Sequence, residues 1–206
     1  MGNIERRFFK VETRLKKNDA GETVLEGFSA VFNKPSENLG WGDNEVREYI
    51  SPGAFKTALT SSDCRALINH DPNLIIGRES AKTLVIEETE DGLRSTITLP
   101  DTSYGRDLAV SVARGDIREQ SFQFVVAKDT WEEDREKKFS KRTILEVKEL
   151  IDISPVTFPA YPDTTIAKRS YDTYSKRNAE NSETNRAENR DIDALMDDIF
   201  INAFDL

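Results

Sequence analysis

Cysteine and histidine are almost absent from this chain of 206 residues, which contains one of each. A single cysteine, Cys64, cannot form an internal disulfide or a cysteine-based zinc site. A single histidine, His70, cannot supply the several imidazole ligands of a typical zinc site. We therefore expect a protein that needs no metal or other cofactor and that folds in a reducing compartment.

Long apolar runs are also missing. No stretch is long enough to span a bilayer, and residues 1–7 lack the apolar segment of a signal peptide. The formal net charge is −9, which argues against binding to nucleic acid or to an anionic membrane. With 37% hydrophobic and 33% charged residues, the sequence predicts a soluble, polar protein with one main domain and a tail.

The most informative stretch is a predicted strand at residues 119–126. Phe122 and Phe124 fall on one face of this strand, and Ser121 and Gln123 fall on the other. The pattern fits a core strand that begins with polar residues. It also fits a nucleophilic serine held on a rigid element, and the pattern alone leaves both interpretations open.

Period-two patterns and turn signals predict many strands, interrupted by two helices. The strands are predicted at residues 6–15, 23–32, 45–50, 65–69, 83–88, 93–99, 121–128, 143–150 and 151–158. The helices are predicted at residues 51–59, capped by Ser51, and at 103–114, capped by Ser103 and ended by Gly115. The charged residues 129–141 are predicted to form an exposed hairpin tip or a mobile loop. This order favours a mainly β fold with flanking helices (α+β), as a closed or nearly closed antiparallel β-barrel surrounded by helices.

The composition changes after residue 167. Residues 168–190 are rich in Ser, Asn, Glu, Arg and Thr, a composition typical of a disordered polar linker. Residues 191–206 carry apolar side chains at helical spacing among Asp residues, which predicts a short amphipathic C-terminal helix. The sequence thus divides into a folded domain over residues 1–167, a linker and a terminal helix.

Three side chains could form a site for acyl transfer, which needs a hydroxyl, a base and a group that orients the base. His70 is the one imidazole available as the base, and Ser121 is the candidate nucleophile. Asp152 is the candidate acid, and Glu146 and Glu149 compete for that role. Each of these residues also has an ordinary interpretation, as a surface histidine, a core serine or the polar face of an edge strand.

Short motifs recur in a characteristic order between about residues 7 and 162. They are LEGFSAVFN at 25–33, ISPGAF at 50–55, NHD at 69–71, GR at 77–78, DGL at 91–93, GDIREQSFQF at 115–124 and DISPVTFPAYP at 152–162. In this ordered set the chain resembles the tailed-phage prohead (procapsid) maturation proteases. That family is related in fold to the herpesvirus assemblin.

The resemblance implies a serine protease domain over residues 1–167 with a herpesvirus-protease-like fold. His70 matches the histidine of the family and Ser121 matches its nucleophile. Asp152 falls where the family often has an acid, with Glu149 as the alternative. Two departures are Gln123, where the family usually has glycine, and Asp152 itself, which is shorter than a glutamate. The resemblance does not identify the backbone N–H groups that stabilise the oxyanion. The candidates are those of the residues after Ser121 and of the segment 77–78.

The resemblance also implies substrates and a location. A protease of this family would cleave the scaffold or delta segment of the major capsid protein, and itself, during prohead maturation. It would act inside the phage prohead in the host cell cytoplasm, encoded by a phage or a prophage, and could form homo-oligomers. The alternative is a non-enzymatic, β-rich capsid or scaffold assembly component in which Ser121 and His70 are incidental.

Overall fold

A computed structural model describes residues 4–9, 13–40, 43–134, 136–158 and 171–176. The chain divides into two units, residues 1–164 and residues 165–206. In the second unit a helical segment at 171–176 is described, and it falls within the predicted linker. The remainder of that linker (168–190) and the predicted terminal helix (191–206) lie outside the described residues.

Strands dominate the described part of the first unit, and two helices interrupt them. In chain order the elements are β1 (Ile4–Phe9), β2 (Arg14–Lys17), β3 (Thr23–Val31), β4 (Glu45–Ile50), α1 (Lys56–Ser61), β5 (Arg65–Ile68), β6 (Asp71–Arg78), β7 (Leu84–Glu88), β8 (Gly92–Thr98), α2 (Ser103–Arg114), β9 (Glu119–Asp134) and β10 (Phe139–Val156).

The strands form two open sheets. One is six-stranded, in the order β1-β9-β10-β5-β6 with β4 also paired to β10, and the other is four-stranded, in the order β2-β3-β8-β7. The predicted mainly β fold is confirmed. The closed antiparallel barrel is not, because no described strand joins the two sheets and because β10 runs parallel to β4 and β5.

The length of β10 explains the mixed pairing. This strand is 18 residues long, and one of its edges pairs with β9. Along the other edge, β4 pairs with residues 139–144 and β5 pairs with residues 152–153. Helix α1 lies between β4 and β5 in the chain, and residues beside it bind the part of the β10 edge that neither strand covers. Val147 N donates to Ala54 O at 2.7 Å, and Leu150 N donates to Ser62 Oγ at 3.0 Å.

Several predicted elements differ from the observed ones. The single strand predicted at 6–15 is two strands in different sheets, and β6 was missed because Pro72 lies near its start. The charged residues 129–141 form a hairpin end, the first of the two predicted alternatives: β9 extends to Asp134, and β10 begins at Phe139 as one strand instead of two. The guanidinium of Arg142 stacks over Trp131 at 5.6 Å, which gives this polar ribbon an apolar contact.

The helix caps also shift. Helix α1 begins at Lys56 with Phe55 in the cap position and no side-chain cap, so Ser51 does not cap it. Helix α2 has the predicted bounds, but Thr102 rather than Ser103 is its cap, since the Thr102 side chain accepts from Gly105 N. Gly115 ends the helix in the left-handed conformation at φ 80°, as predicted.

Apolar side chains from both sheets form one core. Leu25 and Ile97 come from the four-stranded sheet, and Phe122, Phe124 and Ile153 come from the six-stranded sheet. Phe122 and Phe124 are fully buried, with stacked rings 4.8 Å apart. The predicted core face of β9 is therefore confirmed, and it fixes the strand that carries Ser121.

A buried ion cluster holds β1 against its neighbours. Arg7 bonds Glu48 at 2.7 Å and Glu5 at 2.7 Å, and Arg142 bonds Glu5 at 2.6 Å and Glu48 at 2.9 Å. All four side chains are at most 5% exposed. Burial alone would raise the pKa of Glu5, but the hydrogen bonds and charges of Arg142 and Arg7 outweigh it and hold that pKa below its usual value.

Removing one partner of this cluster should strongly destabilise the fold. Arg142→Leu leaves Glu5 and Glu48 with one buried guanidinium instead of two, and breaking a buried ion pair in this way typically costs about 3–5 kcal/mol. Urea unfolding should measure that loss. Arg106→Leu is the control, because the Arg106–Asp101 pair is exposed and should contribute far less. Equal effects of the two substitutions would contradict a structural role for the cluster.

Candidate active site

The candidate base lies on a tight turn between β5 and β6. Ile68 pairs with Asp71 across this turn, so Asn69 and His70 are its two central residues. Both have positive φ, 53° and 60°, as the central residues of a type I′ turn do. Asparagine and histidine adopt this conformation more often than most residues, but a non-glycine residue there still costs about 1 kcal/mol or more. The fold must therefore hold the turn in place.

The end of β10 supplies that hold. Asn69 N donates to Pro155 O at 3.0 Å, and Asn69 Oδ1 accepts from Thr157 N at 2.8 Å. The N–H of His70 donates to Ser154 Oγ at 3.2 Å. Asn69 and the N–H of His70 are thus bonded to the C-terminal end of β10, the strand that also carries Asp152, and to the residue that follows it.

The structure brings the three candidate residues into one hydrogen-bonded chain. His70 Nε2 lies 2.8 Å from Ser121 Oγ, and His70 Nδ1 lies 2.6 Å from Asp152 Oδ1. Ser121 has no exposed surface, and the His70 and Asp152 side chains are 5% and 4% exposed. This is the geometry in which a carboxylate orients an imidazole toward a hydroxyl.

A β-bulge in β10 places Asp152 on the face of the sheet that carries Ser121. Leu150 pairs with Phe124 but Asp152 pairs with Gln123, so Ile151 is an extra residue in the ladder. Without it, period-two alternation would put Asp152 on the core face together with Leu150. The sequence showed the alternation, but it contained no sign of the bulge.

Two further polar side chains bind the Asp152 carboxylate. Ser154 Oγ donates to Asp152 Oδ1 at 2.7 Å. Gln123, with its amide nitrogen turned toward the carboxylate, donates to Asp152 Oδ2 at 3.1 Å, and its oxygen then accepts from Arg6. Sequence reasoning singled out Gln123 as a departure and missed Ser154. The signal for both is their spacing of two residues from Ser121 and Asp152, which places them on the same face.

The competing acids lie elsewhere. Glu149 is exposed, and Glu146 accepts from Thr57 Oγ1 at 2.9 Å. The carboxylate in contact with His70 is that of Asp152. The segment 77–78 lies at the end of β6, where Arg78 N donates to Thr83 Oγ1 at 2.9 Å and the Arg78 guanidinium pairs with Asp63.

Strands occupy both edges of β9 at Ser121. Phe8 of β1 pairs with Ser121 on one side, and Ser154 of β10 pairs with it on the other. The Ser121 hydroxyl also lies within hydrogen-bond distance of the carbonyl oxygen of Arg7, at 3.0 Å. A ligand therefore cannot reach Ser121 by adding a strand to β9, and the face of the sheet is the route that remains.

Other reactive groups in the described residues do not form a second centre of this kind. Cys64 is buried, and burial raises the pKa of its thiol far above the usual range. Among the residues the structure describes, no group of three His, Cys, Asp or Glu side chains could hold a metal ion. No helix in those same ranges is long and apolar enough to cross a membrane.

Comparison with known proteins identifies a family for this chain. A profile of the Caudovirus prohead serine protease family matches residues 9–177, a range that includes His70, Ser121 and Asp152. The solved structure of the bacteriophage T4 capsid assembly protease, gp21, is 11% identical, with a TM-score of 0.46 over 74% of this chain and 98% of that one. No curated protein matches significantly. Because the family profile matches most of the sequence, the chain belongs to the Caudovirus prohead serine proteases.

Proposed function

We propose that this protein is a serine endopeptidase in which Ser121 is the nucleophile, His70 the general base and Asp152 the residue that orients the base. The observation that carries the proposal is the buried hydrogen-bonded chain from Asp152 through His70 to Ser121. The Oγ–Nε2 distance of 2.8 Å is within the range required for proton transfer from a serine hydroxyl to an imidazole. The Nδ1–Oδ1 distance of 2.6 Å is that of a hydrogen bond that orients the imidazole.

The reaction follows from this chain. His70 Nε2 takes the Ser121 proton as Oγ attacks the carbonyl carbon of a peptide bond, and it then gives that proton to the departing amine. Water hydrolyses the acyl-enzyme by the same route in reverse. Asp152 accepts the Nδ1–H bond and stabilises the imidazolium that forms in between.

Two features of the resting site affect this reaction. The Ser121 hydroxyl has one proton and two acceptors within reach, His70 Nε2 at 2.8 Å and the Arg7 carbonyl at 3.0 Å. Only a hydroxyl that donates to His70 is activated for attack. Ser121 is also 0% exposed, so the residues that cover it must move before a substrate carbonyl can reach Oγ.

We infer from the family that the substrates are the scaffold or delta segment of the major capsid protein and the protease itself. Cleavage would occur inside the prohead in the host cell. The non-enzymatic alternative, a capsid or scaffold component, does not account for a buried serine, histidine and aspartate in this order of contact.

Replacing the nucleophile gives the first test of the function. Ser121→Ala should fold normally, because the removed hydroxyl leaves almost no cavity. Co-expression with the major capsid protein of the same phage should then leave the capsid precursor intact, as judged by mass spectrometry of both proteins. Ser140→Ala is the control, since Ser140 is a strand serine at the far end of β10, paired with Glu133, and should leave cleavage unchanged. Normal precursor cleavage by Ser121→Ala would reject the assignment.

Replacing the acid tests the third member. Asp152→Asn should keep the fold but lower turnover strongly, because an amide favours the wrong imidazole tautomer and cannot stabilise the imidazolium. The corresponding change in a trypsin-like triad lowers kcat by about 10⁴. Glu149→Gln and Glu146→Gln should remain within about a few-fold of wild type as surface charges. A severe effect of Glu149→Gln with a mild effect of Asp152→Asn would identify Glu149 as the acid.

Self-cleavage would fall in the polar tail. Residues 168–190 have the polar composition of segments that are readily bound and cleaved by proteases. Terminal sequencing of the protein recovered from mature shells should find a new C-terminus in this range, and Ser121→Ala should abolish it. Protein from mature shells that still ends at Leu206 would contradict self-cleavage in the tail.

A further inference from the structure

We propose that Ser154 is a positioning residue that locks His70 and Asp152 together, an inference that rests on the proposed function and extends it. Its hydroxyl donates to Asp152 Oδ1 at 2.7 Å and accepts from the N–H of His70 at 3.2 Å. Ser154 has no exposed surface. Both of these bonds are made to residues of the proposed triad.

The two bonds act on different parts of the histidine. The bond from His70 N fixes the backbone of the turn, where φ is 60°. The bond to Asp152 fixes the oxygen that contacts the Nδ1 side of the ring. One hydroxyl thus links the position of the imidazole to its orientation, and neither bond alone would do both.

The Asp152 carboxylate is held on both oxygens. Oδ1 lies against Ser154 and His70, and Oδ2 lies against Gln123. A carboxylate bound at both oxygens cannot rotate without losing a donor. Removing the Ser154 hydroxyl would take one of the two donors from Oδ1 and leave the His70 N–H without this acceptor. Small displacements of a catalytic group lower the reaction rate strongly.

Ser154 is not a second nucleophile. It lies directly across from Ser121 in the ladder, but its proton is donated to Asp152 and the imidazole Nε2 contacts Ser121. A nucleophile needs a base that takes its proton, and a carboxylate already bonded to an imidazole fills that role poorly. The arrangement therefore gives Ser154 the role of holding His70 and Asp152, and not that of attacking a substrate.

Kinetics on a peptide that spans the mapped capsid cleavage site should detect this role. Ser154→Ala should lower kcat by about 10–100-fold, the loss of one hydrogen bond to a charged group, and should leave KM within about two-fold. Ser154→Thr keeps the hydroxyl, and Ser154→Val has the shape of the Thr variant but lacks the hydroxyl. We expect the Thr variant to turn over at least about ten times faster than the Val variant.

The single histidine provides a readout independent of activity. In protein labelled with ¹⁵N-histidine, the imidazole signals of His70 are the only ones from the chain. Wild-type protein near neutral pH should show the tautomer with the proton on Nδ1, which points at Asp152. Ser154→Ala should show a mixture of the two tautomers, whereas Ser140→Ala, at the far end of β10, should match wild type.

The outcomes separate the two proposals. Wild-type kcat and an unchanged tautomer in Ser154→Ala would overturn the positioning role while leaving the triad intact. A lower unfolding free energy with an unchanged tautomer, or equal turnover of the Thr and Val variants, would also overturn it, because the residue would then be merely structural. Retained cleavage by Ser121→Ala would instead reject the proposed function, and the tautomer measurement would still decide whether Ser154 orients His70.

Discussion

The antiparallel pairing of β9 with β10 is the constraint on which the site depends. It sets Ser121 across from Ser154 and Gln123 across from Asp152, so four of the polar side chains at the site share one face of two paired strands. The bulge at Ile151 is essential to this register. It lets Leu150 and Ile153 both face the core while Asp152, between them, faces His70.

Interactions on both sides of β9 keep that register in place. On the core face, Phe122 and Phe124 pack between the sheets, and Gln120 Oε1 accepts from Ser29 and Ser95 of the opposite sheet at 2.9 Å each. Along its edge, β1 is held by the buried cluster of Arg7, Glu5, Glu48 and Arg142. Ser121 therefore lies on a strand whose backbone has little freedom, as its proposed role as nucleophile requires.

Much of this fold could be read from local patterns. The strands β3, β4, β7 and β8, the helix α2 and the two faces of β9 follow from alternation, turn residues and a glycine cap. The features that were missed depend on distant partners. Pro72 argued against β6, the parallel pairing of β10 depends on its length, and the charged end of β9 becomes a strand because Arg142 and its neighbours pair with it.

The site shows the same division. His70, Ser121 and Asp152 could be proposed from their types and from the order of motifs, since a histidine, a serine and an acid have a known joint chemistry. Their contacts could not, because the bulge at Ile151 and the positive φ of His70 have no signature in a single sequence. Ser154 was overlooked since a serine in a strand is commonplace until its partners are known.

The placement of the base on a turn follows from the geometry of the sheet. Ser121 and Asp152 lie on adjacent strands, and an imidazole between them must come from outside the ladder. The β5–β6 turn supplies it at the cost of a left-handed histidine. That cost is offset where β10 binds the turn through Ser154, Pro155 and Thr157. The strand that presents Asp152 thus also binds the turn that carries His70, which couples the positions of the two groups.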